Sequence, residues 1–429
     1  MNFLTISKWL RCENMKMILK GNILTEINFF SIIVILLFNG YGASNNLFVF
    51  NINVGISYVL VLALQTISLL IFWSYKKVKI DIIAGLLYIQ VVIYTVSLIV
   101  FPDAFEGSMK YYVAVLLSLV IYIFAVSASV DLMNKKILFL SEGIITILSL
   151  QTVSLTFRAI KSNIPYYMMK NYIQAPIGGT NYIGSFLLMF LVLVIGLEEK
   201  KLKKIFFVSL AILGIVLTRS TGAFILMILI FVHEYGKRVV SVVKFKELIK
   251  YSLIIIIFII VSWKLLGAFP DYFERFTINL HSIFLGESEA IDVVSNGRIS
   301  TYTKALEMIS ESPILGYGLN YRNGILGMAA HNLILDQFLK AGLLNVMAFI
   351  SIIYIMLYKF YKYRNISKEI KTIGKMVVVV MINGMYEPNL GGVNFDFFFW
   401  LFCGVGMANC YCVKVLRNNT SGVEMSRNL

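Results

Sequence analysis

An all-α polytopic membrane bundle of about twelve transmembrane helices, with one large extracytoplasmic loop, is the fold class the sequence predicts. Three observations lead there. Hydrophobic residues make up 59% of the 429 positions and charged residues only 14%, where a soluble domain carries about 25% charged residues. Apolar runs of the length that crosses a ~30 Å hydrocarbon core recur along the chain. The Lys and Arg residues fall overwhelmingly into alternate connecting segments, as cytoplasmic loops require.

Taken in order, residues 1–24 carry Lys8, Arg11, Lys16 and Lys20 ahead of the first apolar run. That run continues to about Gly40 with no convincing cleavage site, so it reads as an uncleaved first span. Spans are expected near 25–42, 54–75, 80–101, 111–133, 137–157, 180–197, 204–219, 221–236, 251–268, 331–358, 375–390 and 394–413. The seventh and eighth are joined by only a few residues, and Asn383-Gly384 interrupts the eleventh. No internal repeat or low-complexity tract is visible, and the last residues form a polar tail. The expectation is one transmembrane domain over 1–429, with 269–330 as a loop within it.

Charge tests the count. With the N-terminus cytoplasmic, the inner segments hold 27 of the 38 Lys and Arg residues and the outer segments nine; Lys264 and Lys340 lie within apolar runs. This alternation supports both termini inside. It also explains the net charge of +15 by topology rather than by nucleic acid or anionic lipid. Lys264 is expected to snorkel to the interface. Cys12, Cys403, Cys410 and Cys412 match neither a zinc pattern nor a disulfide framework and read as inert.

The long loop is then extracytoplasmic and holds seven acids against four bases. Arg298 follows Gly297 and opens a helical pattern, with Tyr302, Ala305 and Met308 at i, i+3, i+6 spacing. It is either a surface partner of Glu307 or Glu311, or a phosphate clamp, since a guanidinium binds phosphate bidentately. His331, where the loop meets a span, is either structural or a proton acceptor at neutral pH. Asn332, Asp336 and Lys340 follow at i+4 spacing on one helix face. Asp336 and Lys340 either seal the bundle as a pair or line a site. Arg219, in the tight turn between the seventh and eighth spans, is an interfacial anchor or a contact for a lipid diphosphate. A second outer loop, 158–179, brings Arg158, Lys161, Lys170, Tyr166 and Tyr167 ahead of Gly178-Gly179 and Asn181.

Absences narrow the chemistry. There is no GxxxxGK[ST], no GxGxxG after a strand and no DxD pair, so nucleotide and nucleotide-bound metal are not called for. The first outer loop, 43–53, has no acid, which argues against lipid-sugar glycosyltransferases with a catalytic carboxylate there.

The order Arg298, Pro313-Ile314-Leu315-Gly316-Tyr317-Gly318, His331-Asn332 and Gly342-Leu343, all assigned to one face, resembles the O-antigen ligase/polymerase (Wzy-like) superfamily of bacterial surface-polysaccharide membrane proteins. Tyr302 matches its aromatic four residues after the arginine, and Asn181 its Asn at the start of the sixth span. The likeness covers roughly 175–350. The family's Ser-Arg-Gly pattern after the seventh span is altered, with Arg219 preceding Ser220.

The resemblance implies a metal-independent membrane glycosyltransferase of the cytoplasmic (inner) membrane, without a cofactor. It would move glycan from undecaprenyl diphosphate onto another lipid-linked repeat unit at the outer face, making O-antigen or capsule. The alternatives are a ligase acting on the lipid A core of lipopolysaccharide, or a flippase for the same lipid-linked oligosaccharide. His331 and Arg298 are the implied catalytic residues. Arg219, Asn332, Arg158, Lys304, Arg322, Tyr302 and Asn181 are the implied substrate contacts, and Tyr317 and Tyr321 either stack on sugars or pack under the loop. The implied partners are the lipid-linked oligosaccharide, the bilayer, a chain-length regulator and a flippase; nucleic acid is not among them.

Overall fold

A computed structural model describes residues 26, 28–39, 54–75, 78–102, 105–128, 130–165, 168–242, 298–321, 326 and 329–427. The expected span 251–268, Lys264, most of loop 269–330 and Arg322 lie outside these residues. The described chain is almost all helical. It runs α1 (Asn28–Phe38), α2 (Val54–Tyr75), α3 (Ile82–Val100), α4 (Phe105–Ser127), α5 (Val130–Lys161) and the short α6 (Met169–Tyr172). A two-residue hairpin, β1 (Gln174–Ala175) with β2 (Gly178–Gly179), precedes α7 (Thr180–Leu197), α8 (Lys201–Thr218) and α9 (Thr221–Val242). Then come α10 (Arg298–Glu311), α11 (Leu333–Tyr363), α12 (Lys368–Gly384) and α13 (Val393–Arg427).

Seven of these helices (α2, α3, α4, α5, α7, α11 and α13) are long and apolar enough to cross a membrane. Helices also occupy the expected spans 25–42, 204–219, 221–236 and 375–390, but as described they are shorter or more charged. The chain is thus built as a multi-pass membrane protein, and the expected count of twelve is met only in part.

Two helices form the centre. In α7 every residue from Ile183 to Val194 is buried, and in α13 every residue from Val393 to Cys410. A helix apolar on all sides belongs inside a larger bundle. Phe186 and Phe190 of α7 meet Phe395, Phe398 and Phe402 of α13 edge to face, at centroid distances of 5.0–5.9 Å. On the outside Leu70, Val96, Phe157, Leu229 and Met347 are exposed, as a lipid-facing surface needs. One end of the bundle is laced by lysine ion pairs: Lys136–Glu26, Lys203 with Glu142 and Glu198, Lys368–Glu199 and Lys375–Glu234.

α11 is broken at Ala341 and Gly342, whose backbone leaves the helical region. The segment Pro313–Gly318 fills the break. Tyr317 donates its backbone N–H to Leu339 O at 2.7 Å, and Leu343 donates to Pro313 O at 2.9 Å. Ser97 Oγ donates to the carbonyl of Lys340 at 3.1 Å. Irregular backbone at such depth is tolerated where protein groups satisfy it. Beside the break, Asp336 and Lys340 are fully buried and pair at 2.6 Å. Tyr321 OH donates to Asp336 Oδ1 at 2.6 Å, and Lys340 Nζ lies 4.5 Å from the centre of the Tyr111 ring.

Candidate active site

At the end of the bundle opposite the lysine ion pairs, the N-termini of α7, α10, α11 and α13 meet the C-terminus of α12. The turn 385–392, Met-Tyr-Glu-Pro-Asn-Leu-Gly-Gly, joins α12 to α13. Pro388 and the two glycines stop the helix there. The first turns of α7 hold this segment down. Ser185 Oγ donates to Asn389 Oδ1 at 3.1 Å, Asn383 Nδ2 donates to Ser185 Oγ at 2.6 Å, and Asn181 Nδ2 donates to Glu387 Oε2 at 3.1 Å.

Glu387 is where the site converges. His331 Nδ1 lies 3.3 Å from the same Oε2. Tyr302 of α10 bridges the two segments, its hydroxyl 3.0 Å from His331 O and 3.1 Å from Met385 O. Burial opposes ionisation of Glu387, but the His331 contact, the charges of His331 and Arg298 and the Asn181 amide outweigh it. They hold the carboxyl below its ordinary range. Burial pushes the Lys170 ammonium down, and the charge of Arg298 pushes it further against the pull of Glu387. Arg298 and Lys170 therefore both stand within electrostatic reach of Glu387, whose carboxylate is contacted by His331 and Asn181.

Local backbone sets two of these groups under strain. Among the described residues three non-glycines have positive φ: Asn163, Arg219 (+57°) and His331 (+49°). That region costs a non-glycine residue about 1–2 kcal/mol, and such strain gathers at functional sites. Arg219 closes α8 in a position glycine usually fills; its Nη2 contacts Met169 Sδ at 2.8 Å, next to Lys170. Arg298 lies in α10. At Arg219, local structure works against the residue present.

Asn332 is the N-cap of α11, its Oδ1 accepting from Ile334 and Leu335 at 2.9 and 3.2 Å. Arg158 lies in the last turn of α5, and Lys304 on the exposed face of α10. Tyr317 donates to Glu311 at 2.8 Å. Tyr321 is buried, clustered with Met308, Ala330 and Leu339, which leaves no ring face open for a sugar. Among the described residues no three of His, Cys, Asp and Glu are grouped closely enough to hold a metal.

Glu387 escapes the sequence reading because 375–390 is taken as a span and an acid within it goes unremarked. The signal was present: an ionisable residue at membrane depth followed by Pro-Asn and Gly-Gly. Lys170 was visible only as one of several outer bases.

No curated protein matches the chain. Residues 205–350 match the family model described as Wzy_C: O-Antigen ligase, a stretch that takes in Arg219, Arg298 and His331, and the match supports the O-antigen ligase/polymerase family for this chain.

Proposed function

We propose that the protein is a polysaccharide polymerase, transferring glycan from undecaprenyl diphosphate to a hydroxyl of another lipid-linked repeat unit at the outer face of the cytoplasmic membrane. Members of the matched family are membrane glycosyltransferase-like enzymes. The observation that carries the reading is the gathering of Arg298, Lys170, His331 and Tyr302 around Glu387. The lysine ion pairs at the opposite end support a cytoplasmic assignment for that end, with both termini inside.

The chemistry asks little beyond charge and a base. The acceptor oxygen attacks the anomeric carbon, and its proton passes to Nε2 of His331. The bond from that carbon to the diphosphate oxygen breaks, and its electron pair stays on the diphosphate. Arg298 and Arg219 offset the growing negative charge, and the bundle end holds donor and acceptor together. Asn181 and Asn332 support the site by holding Glu387 and capping α11, and Arg158, Lys304 and Arg322 are further contacts for phosphate or glycan.

A ligase shares this donor and this chemistry and differs in its acceptor. The lipid-linked glycan profile of a deletion strain separates the two. Single repeat units on the surface acceptor mark a polymerase, and long chains left on the carrier mark a ligase. Accumulation at the inner leaflet would instead mark a flippase and refute glycan transfer. In the same strain, Arg298→Ala should express normally yet fail to restore chain extension. Full-length polymer from that variant would remove Arg298 from the mechanism.

A further inference from the structure

We infer that Glu387 is a positioning residue for His331: its carboxylate holds Nδ1–H and so leaves Nε2 as the face of the ring that meets the acceptor hydroxyl. The inference rests on the reading of His331 as the proton acceptor.

An ionised carboxylate only accepts. Glu387 is held ionised by its cationic surroundings and by the Asn181 amide on Oε2. The ring nitrogen 3.3 Å from that oxygen, Nδ1 of His331, must then carry a hydrogen. In the neutral imidazole this places the lone pair on Nε2. A carboxylate that fixes the tautomer and orientation of a histidine base, without itself taking the proton, is the logic of a nucleophile–His–Asp triad. Here the nucleophile belongs to the substrate.

The backbone supports the same role. His331 sits at φ +49°, a region few non-glycine residues occupy, although histidine enters it more readily than most. Something must hold it there. Tyr302 OH ties the His331 carbonyl to that of Met385, so the segment bearing the ring and the segment bearing the carboxylate are fastened by one hydroxyl. Asn181, Ser185 and Asn383 lock the Glu387 turn to α7 from the other side. A plain charge partner for Arg298 would need neither the shared oxygen nor this bracing.

The experiment uses the full-length protein in phosphatidylethanolamine/phosphatidylglycerol vesicles, with a lipid-diphosphate glycan as donor. Wild type, Glu387→Gln, Glu387→Asp and His331→Gln are compared by three readouts. These are the single-turnover transfer rate, donor affinity, and the ring ¹⁵N signals of His331, assigned by their loss in His331→Gln. For Glu387→Gln the transfer rate should fall about 100-fold, the low end of what positioned acid–base catalysis supplies. Donor affinity should stay within about twofold, since the loss lies in the transition state. The ¹⁵N signals should change from a single Nδ1–H tautomer to a mixture, and Glu387→Asp should recover part of the rate. An unchanged tautomer in Glu387→Gln, or a donor affinity that falls in step with the rate, overturns the positioning role while leaving the base intact. Full activity in His331→Gln instead overturns the base, and with it both readings.

Discussion

Gly342 lies directly against Ile314: a Cβ added at Gly342 would run into the carbonyl of Ile314, and the glycine holds φ at +72°. The Pro-x-x-Gly-x-Gly pattern and the distant Gly342 are therefore two halves of one clasp. Gly316, at φ +69°, brings the other strand of it to within 2.6 Å of Leu339 O, measured from where its Cβ would stand. Gly342→Ala should destabilise the protein by about 1–3 kcal/mol through backbone strain alone, and by more where the carbonyl cannot move. Thermal unfolding in detergent measures this. Gly85→Ala, in α3 with open space around its Cβ, is the control and should be neutral or stabilising by up to about 1 kcal/mol.

The clasp shows what can be read from spacing and what cannot. The apolar runs betray their helices because lipid demands length and hydrophobicity, which are properties of a single segment. The polar punctuation at Asn181, Arg219, Arg298 and His331 also stands out, since polar groups at these places need a reason. Which of them meet is a property of packing. Asn181 turns to Glu387, 206 positions away, and Asn332 spends its oxygen on its own helix. The Gly-rich turn, legible in the sequence only as a motif, mends a broken helix. Glu387 was lost to a span boundary drawn too far along the chain, where α12 in fact ends at Gly384.

Arg219 tests whether strain is kept for function. Its αL backbone suits glycine better, so Arg219→Gly should leave stability unchanged or raise it by about 1 kcal/mol. Chain extension should nevertheless fall, because the guanidinium beside Met169 and Lys170 is gone. Paired measurements of melting temperature and polymer length decide the matter. Loss of stability together with activity would make Arg219 a structural cap.

The Asp336–Lys340 pair should behave as a buried ion pair. Lys340→Met strands a carboxylate in the bundle beside the α11 break, and losses of about 3–5 kcal/mol are usual for such a change. Removing both charges, as Asp336→Leu with Lys340→Met, should recover most of that loss. A double-mutant cycle on unfolding free energy gives the coupling. Additive losses would show that each residue is held by other partners, with Tyr321 OH and the Tyr111 ring the first to examine.

Glu387 should also leave a mark on acid stability. Its carboxyl ionises below the ordinary value of 4.5 because His331, Arg298 and Asn181 favour the charged form despite burial. The sign follows from proton counting. Between the native value and 4.5 the unfolded chain holds more protons at this position than the folded one, so stability rises with pH there. The contribution is complete above 4.5 and is lost as pH falls through the lower, native value. Glu387→Gln removes the titrating group. The stability difference between wild type and Glu387→Gln should therefore shrink as pH falls below about 4.5. Melting temperatures of the two proteins over that range in one detergent supply the comparison. A difference that grows on acidification would mean that the folded state favours the protonated acid, and the carboxylate could not then hold Nδ1–H of His331.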